Sequence, residues 1–128
     1  MESHKLVMPE HLNQYGFLFG GHLLKWVDEN AWIAASLEYP GCNFVTVAMD
    51  KVEFRKSVRQ GNILKFQAEK IKAGSTSIHY RVEAFLANKP VGERELIFST
   101  MVTFVRIDQD GNKIPLPEGG DTLHNAWA

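Results

Sequence analysis

The sequence predicts an α+β domain in which one long helix packs against an antiparallel sheet. Three observations predict it. Residues 21–39 carry apolar side chains at helical spacing, and no other segment does so strongly. After Gly41 the apolar period changes to two and, with one slip in phase, recurs to Leu86. The period-two runs are joined by short turns, which pair successive strands antiparallel. A helix apolar on most of its surface needs cover, and a bent sheet of five or six strands wrapped about it supplies that cover.

Lys5 to Met8 is a short apolar run stopped by Pro9, which suits an edge strand. Pro9 to Phe19 has no clear period and reads as a loop that packs through Tyr15, Phe17 and Phe19. In the helix, Leu23, Trp26, Val27, Ala31, Ala34 and Leu37 fill a wide apolar arc, and Lys25, Glu29 and Ser36 share the polar one. Asp28 falls at the border between Ala35 and Trp32, and Glu29 is placed to pair with Lys25 four residues earlier. Pro40 disfavours helix at Tyr39, and Gly41 turns the chain.

Val45, Val47 and Met49 share one face, and Val52 and Phe54 continue it after a slip in phase. One bent strand with a bulge near Asp50-Lys51 explains the slip. Leu64, Phe66 and Ala68 alternate with polar residues, and Lys72 to Ser75 reads as a turn. Ile78 to Leu86 alternates most cleanly, Asn88-Lys89-Pro90 turns the chain back, and Leu96 to Ile107 is apolar on both sides, as a central strand is. From Asp108 the chain is turn-rich. Asp108 to Asn112 lacks the ligand spacing of a calcium loop and reads as a plain turn.

At 128 residues the chain forms one domain, residues 1–128. With 45% hydrophobic and 23% charged residues it has ordinary globular composition, and a net charge of −1 argues against nucleic acid as a partner. A single cysteine, Cys42, excludes an internal disulfide and fits a reducing cytoplasm. No apolar run reaches the ~20 residues of a membrane span, and Met1 to Lys5 does not begin a signal peptide. The five histidines show no metal-ligand spacing, so no metal is expected.

The chemistry concentrates where the helix begins. Gly20 and Gly21 leave bare N–H groups at a helix start, able to approach a ligand closely. Asp28 is a carboxylate in apolar company, where lost hydration must be offset. A border acid of that kind is either a solvated ion-pair partner or a catalytic group. Arg55, Lys56 and Arg59 form a basic cluster between two strands, which suits a solvated loop or a phosphate ligand.

From Pro9 through Asn13, Gly16, Phe19-Gly20-Gly21, Leu23-Leu24, Trp26 and Asp28-Glu29, the sequence resembles the hotdog-fold acyl-CoA thioesterases. Val45-Thr46-Val47, Phe54 to Asn62 and Gly74-Ser75-Thr76-Ser77 extend the resemblance over roughly residues 8–107. It implies hydrolysis of acyl-CoA to a free acid and CoA. No cofactor is implied, coenzyme A being part of the substrate. The implied assembly is a homodimer with a continuous sheet, and a hexamer as a trimer of dimers. Asp28 is implied as general base or nucleophile, and backbone N–H groups around Gly20, Gly21 and His22 as the oxyanion hole. Arg55, Lys56 and Arg59 then suit the CoA phosphates, with Gly74, Ser75, Thr76 and Ser77 donating to phosphate or pantetheine.

Asp28 lies seven residues past Gly21, about 10 Å along a helix. One reacting carbon cannot touch both, so either the two serve different tasks or Asp28 of one chain meets the glycine turn of another; the dimer that the resemblance implies favours the second. The chain also departs from the family's pattern. Phe17 stands where many members carry Asp or Asn, so the polar partner of Asp28 is expected to be Asn13 or His22. A non-catalytic acyl-CoA-binding or sensing module on the same fold is the alternative that Phe17 raises.

Overall fold

The computed structural model describes residues 1–90 and 94–117. Residues 91–93 and 118–128, including most of the turn-rich tail expected after Asp108, lie outside the described residues. In chain order the elements are β1 (Glu2–Leu6), a 3-10 turn (Pro9–His11), α1 (Gly20–Glu38), β2 (Asn43–Phe54), β3 (Ile63–Ala73), β4 (Ser77–Leu86) and β5 (Glu95–Ile107). The strands form one five-stranded antiparallel sheet in the order β1-β3-β4-β5-β2. β5 is interior, as expected, and β1 and β2 are the edges.

Helix α1 lies on one face of the sheet. Leu23, Trp26, Val27, Ala31, Ala34 and Ala35 point into the core. They meet Phe66, Ala68, Ile78, Val82, Phe98 and Phe104 from the strands. The helix stops where expected: Tyr39 caps it through its N–H to the Ala35 carbonyl, and Gly41 turns the chain with φ of 84°. The expected cover on most sides is not provided within one chain. Trp32, Ile33 and Leu37 stay exposed, Leu37 by 63%.

Strand β2 bends as the slip in phase predicts. Its register against β5 shifts between Thr46 and Ala48 and again between Asp50 and Glu53, and Lys51 takes φ of 54°. The Thr100 hydroxyl donates to the Asp50 carbonyl at 2.8 Å and satisfies it at the bulge.

Two strand boundaries differ from expectation. The first strand is Glu2–Leu6 rather than Lys5–Met8, and Val7 is the buried residue that follows it. The strand is an edge with four of five residues exposed, so its sequence carries no alternation to read. β3 continues to Ala73, past the turn expected from Lys72, with a shifted register between Lys70 and Lys72. The turn at Asp108 is local: its Oδ1 accepts from the Asp110 and Asn112 N–H groups at 2.9 Å each.

Candidate active site

The loop before α1 is built around Asn13. Its Oδ1 accepts from the N–H groups of Tyr15 at 2.9 Å and Phe17 at 3.1 Å, and its own N–H donates to the Phe17 carbonyl at 2.7 Å. This turn sets Phe17 against Arg59, to which it is bridged, with the guanidinium 4.8 Å above the ring. Leu18 and Phe19 then dock through the Val58 and His11 carbonyls, which aims the chain into the helix.

At the helix start, the His22 N–H is committed to the Phe19 carbonyl at 3.0 Å. Gly20 and Gly21 have no backbone acceptor for their N–H groups among the described residues. The expected donors therefore narrow to these two. Both positions are crowded on the side-chain side. A Cβ at Gly20 would lie 3.5 Å from the Phe54 ring, and one at Gly21 would lie 3.0 Å from the Phe19 ring.

Gly20 opens onto a cleft of about 390 Å³. Asn13, Phe17 and Phe54 form its walls, Leu23 and Val58 part of its floor, and Arg55 and Lys56 its polar rim. The structure thus brings together Asn13, Phe17, Gly20, Arg55 and Lys56, with Arg59 behind Phe17, while Asn13 Oδ1 is engaged by the Tyr15 and Phe17 N–H groups rather than by Asp28. Part of the rim charge is already matched. Arg55 pairs with Glu53 at 2.9 Å, and Lys56 donates to Glu95 at 2.6 Å. The Lys56 contact, with Lys89 nearby, holds the Glu95 carboxyl below the usual carboxylate range. Arg59 has no carboxylate at ion-pair distance among the described residues.

Asp28 lies outside this cleft. It is eight residues beyond Gly20 on the same helix, about 12 Å along its axis at 1.5 Å per residue. Its Oδ1 accepts a hydrogen bond of 2.7 Å from the Thr46 hydroxyl on β2. Thr46 had no assigned role on sequence grounds, since Val45-Thr46-Val47 reads simply as strand. The half-buried carboxylate is therefore oriented by the edge strand and keeps Oδ2 out of that bond. Glu29 pairs with Lys25 at 3.9 Å, as expected.

Two expected groups are placed elsewhere within the chain. The His22 ring stands 5.2 Å from His11 and 6.3 Å from Trp26, among aromatic neighbours rather than in the cleft or beside Asp28. Gly74 to Ser77 form the β3–β4 turn, where the Gly74 N–H donates to the Ser77 carbonyl at 2.8 Å. The 11-residue strand β3 separates that turn from the Arg55 to Arg59 segment, a span of roughly 35 Å. In one protomer these two groups cannot hold the same small ligand. Among the described residues no cluster of His, Cys, Asp or Glu could hold a metal ion, and no helix is long and apolar enough to cross a membrane.

Comparison with known proteins gives this geometry a family. The pattern of the thioesterase superfamily matches residues 15–93. The acyl-CoA thioester hydrolase YciA of Salmonella typhimurium is 32% identical over 118 residues, covering 90% of this chain and 88% of that protein. A hexameric hotdog-fold thioesterase of Campylobacter jejuni superposes with a TM-score of 0.80 at 32% identity, covering 96% of this chain and 94% of that one. An acyl-CoA hydrolase of Staphylococcus aureus, solved with butyryl coenzyme A and coenzyme A, gives a TM-score of 0.83 at 29% identity, covering 91% of this chain and 71% of that one. The same hydrolase has been solved with single alanine replacements of an aspartate, a threonine and an asparagine. With one helix on a five-stranded antiparallel sheet, a glycine pair opening that helix and a matching pattern across most of its length, the chain belongs to the thioesterase superfamily, as a hotdog-fold thioester hydrolase.

Proposed function

We propose that the protein hydrolyses acyl-CoA thioesters to a free carboxylic acid and CoA at a site shared by two protomers. The observation that carries the reading is the Asp28 carboxylate, oriented by Thr46 and set about 10–12 Å along the helix from the Gly20 and Gly21 N–H groups, which have no backbone acceptor among the described residues. Each half is prepared for a task that the other half does not perform.

In the reaction, Asp28 acts as general base or as nucleophile. As a base, its carboxylate takes a proton from water while the water oxygen bonds to the thioester carbonyl carbon. The carbonyl oxygen becomes an oxyanion, and the Gly20 and Gly21 N–H groups of the other protomer donate to it. Collapse breaks the C–S bond, and CoA leaves as a thiolate that recovers a proton. As a nucleophile, Asp28 would instead form a mixed anhydride that water then opens. Asn13 holds the turn that shapes the cleft. Arg55, Lys56 and Arg59 face the polyanionic end of CoA. Gly74 to Ser77 could meet that end only from another protomer.

The relatives support the assignment of residues. In the Staphylococcus aureus hydrolase the replaced asparagine and aspartate are fifteen positions apart, the separation of Asn13 and Asp28 here. The replaced threonine follows that aspartate by seventeen positions, against eighteen from Asp28 to Thr46. A long β2 edge with no partner strand among the described residues, and with Val45, Val47 and Val52 exposed, supports sheet continuation into a second copy. The exposed Trp32, Ile33 and Leu37 offer that copy a further apolar surface. A hexamer as a trimer of dimers is the assembly that the hexameric relative favours.

The test is thiol release from a series of acyl-CoAs by the native protein and by Asp28→Asn. We expect the variant to lose about 10²-fold or more in kcat while still binding CoA. No release by the native protein, or equal rates from both proteins on the best substrate, would sink the proposal. Single turnover in ¹⁸O-labelled water identifies a nucleophilic Asp28 whose anhydride water opens at the Asp28 carbon, because the label then enters its carboxylate.

A further inference from the structure

We propose that a second cavity, on the sheet face away from the helix, binds a phosphate monoester. The cavity holds about 240 Å³ and is lined by His4, Lys65, Phe85, Leu86, Ala87 and Arg94. Strand register builds it. His4 on β1 is the direct partner of Lys65 on β3, and Lys65 is the direct partner of Phe85 on β4. Adjacent strands lie about 4.8 Å apart, so these three side chains form one row across the outer face. Arg94, one residue before β5, reaches the row from the side and stacks its guanidinium 4.2 Å from the centre of the Phe85 ring.

That stacking prepares Arg94 for an anion. A guanidinium lying on an aromatic face keeps its N–H edge in plane and available for bidentate contact with phosphate oxygens. One Nη2 contact to Gln67 Oε1, at 3.4 Å, steadies the group without matching its charge. Among the described residues no carboxylate lies at ion-pair distance from Arg94. Lys65 reaches Glu2 at 3.7 Å, near the limit of an ion pair, and the closer contact of Glu2 is with Gln67 Nε2 at 2.9 Å. The cavity therefore gathers an arginine, a lysine and an imidazole beside Phe85, Leu86 and Ala87, while Glu2 and Glu83 flank Gln67 at its margin. A phosphate monoester, with two negative charges and acceptors on every oxygen, matches that set better than a carboxylate or a neutral ligand.

Two sources could supply such a group: a free nucleotide, or the 3′-phosphate of the coenzyme itself. The second source rests on the acyl-CoA reading above; the first does not. Calorimetric titration with AMP, adenosine, CoA and dephospho-CoA tests both, using the native protein, Lys65→Met, Arg94→Gln and, for the cleft, Arg59→Gln. We expect the phosphorylated member of at least one pair to bind more tightly than its phosphate-free counterpart. We expect that advantage to fall about tenfold or more in Lys65→Met and in Arg94→Gln. Loss confined to AMP identifies a free nucleotide. Loss of CoA affinity with dephospho-CoA unchanged identifies the coenzyme's own phosphate. The proposal is overturned if both variants bind AMP and CoA as the native protein does. It is also overturned if the phosphate advantage disappears in Arg59→Gln alone, which would put the phosphate at the cleft. Circular dichroism and light scattering on each variant establish that fold and assembly are retained.

Discussion

The Thr46 hydroxyl on the open edge strand donates to Asp28 Oδ1 at 2.7 Å, and so ties the sheet's unpaired rim to the acid on the helix. A carboxylate that accepts from a fixed hydroxyl loses rotational freedom about its terminal bond. Replacing Thr46 with Val keeps the β-branched shape and removes the donor. A hydrogen bond to a charged group contributes about 1.5–3 kcal/mol, so Thr46→Val should lower kcat roughly 10- to 100-fold. Thr46→Ser should recover most of the loss. A Val variant as fast as native protein in a thiol-release assay would show that the bond does not position the acid.

Arg59 over Phe17 joins the basic segment to the loop that shapes the cleft. Arg59→Gln removes a cation from the proposed CoA-facing rim, and the exposed cation–π contact adds only about 0.5–1 kcal/mol of local stability. The expected result is a KM for acyl-CoA raised severalfold with kcat nearly unchanged, and a weaker dependence of KM on salt. Equal KM values for native and variant protein across a salt series would contradict it.

Tyr80 and Lys70 meet at Glu38: the Tyr80 hydroxyl donates to Oε2 at 3.0 Å, and the Lys70 ammonium lies 2.8 Å from Oε1. Burial first, and then the Glu38 charge, push the Tyr80 hydroxyl well above its ordinary value of 10.0. The hydrogen bond to Glu38 raises Lys70 above 10.5. A folded-state value above the unfolded one gives stability that is complete below the unfolded value and is lost as pH rises past it. The urea midpoint should therefore decline above about pH 10, and Tyr80→Phe should flatten that decline. Identical slopes for the two proteins between neutral and alkaline pH would remove the assignment.

Val47 stands in the middle of the open edge and is 53% exposed. Val47→Arg places a long cation where the proposed partner strand would pair, while the single-chain core loses nothing. Light scattering should report a smaller species, and activity should fall with it. A fully active monomer would rule out the shared site.

The helix, the bulge and the alternating strands could be read from sequence because each rests on a local period or a local breaker. Val27, Ala31 and Ala34 recur at helical spacing, and the slip between Met49 and Val52 marks the bulge. Glu2–Leu6 could not be read, because an edge strand with most side chains in solvent places no constraint on alternation. The cleft was legible through the glycine pair and the basic segment. Thr46 was not, for its role arises where β2 passes the helix, and a threonine between two valines already satisfies a strand's preferences. The separation of Gly74–Ser77 from Arg55–Arg59 was likewise hidden, since it depends on the 11-residue length of β3.

The distance along α1 between the glycine pair and Asp28 has a genetic counterpart. Two variants that are inactive for opposite reasons, Asp28→Asn and a bulky replacement of Gly20, should complement one another when mixed and allowed to exchange subunits. A hybrid pair would carry one site with both defects and one with neither, so equal mixing should restore about a quarter of native activity. An enzyme with a self-contained site in each chain would show no such rescue at any ratio.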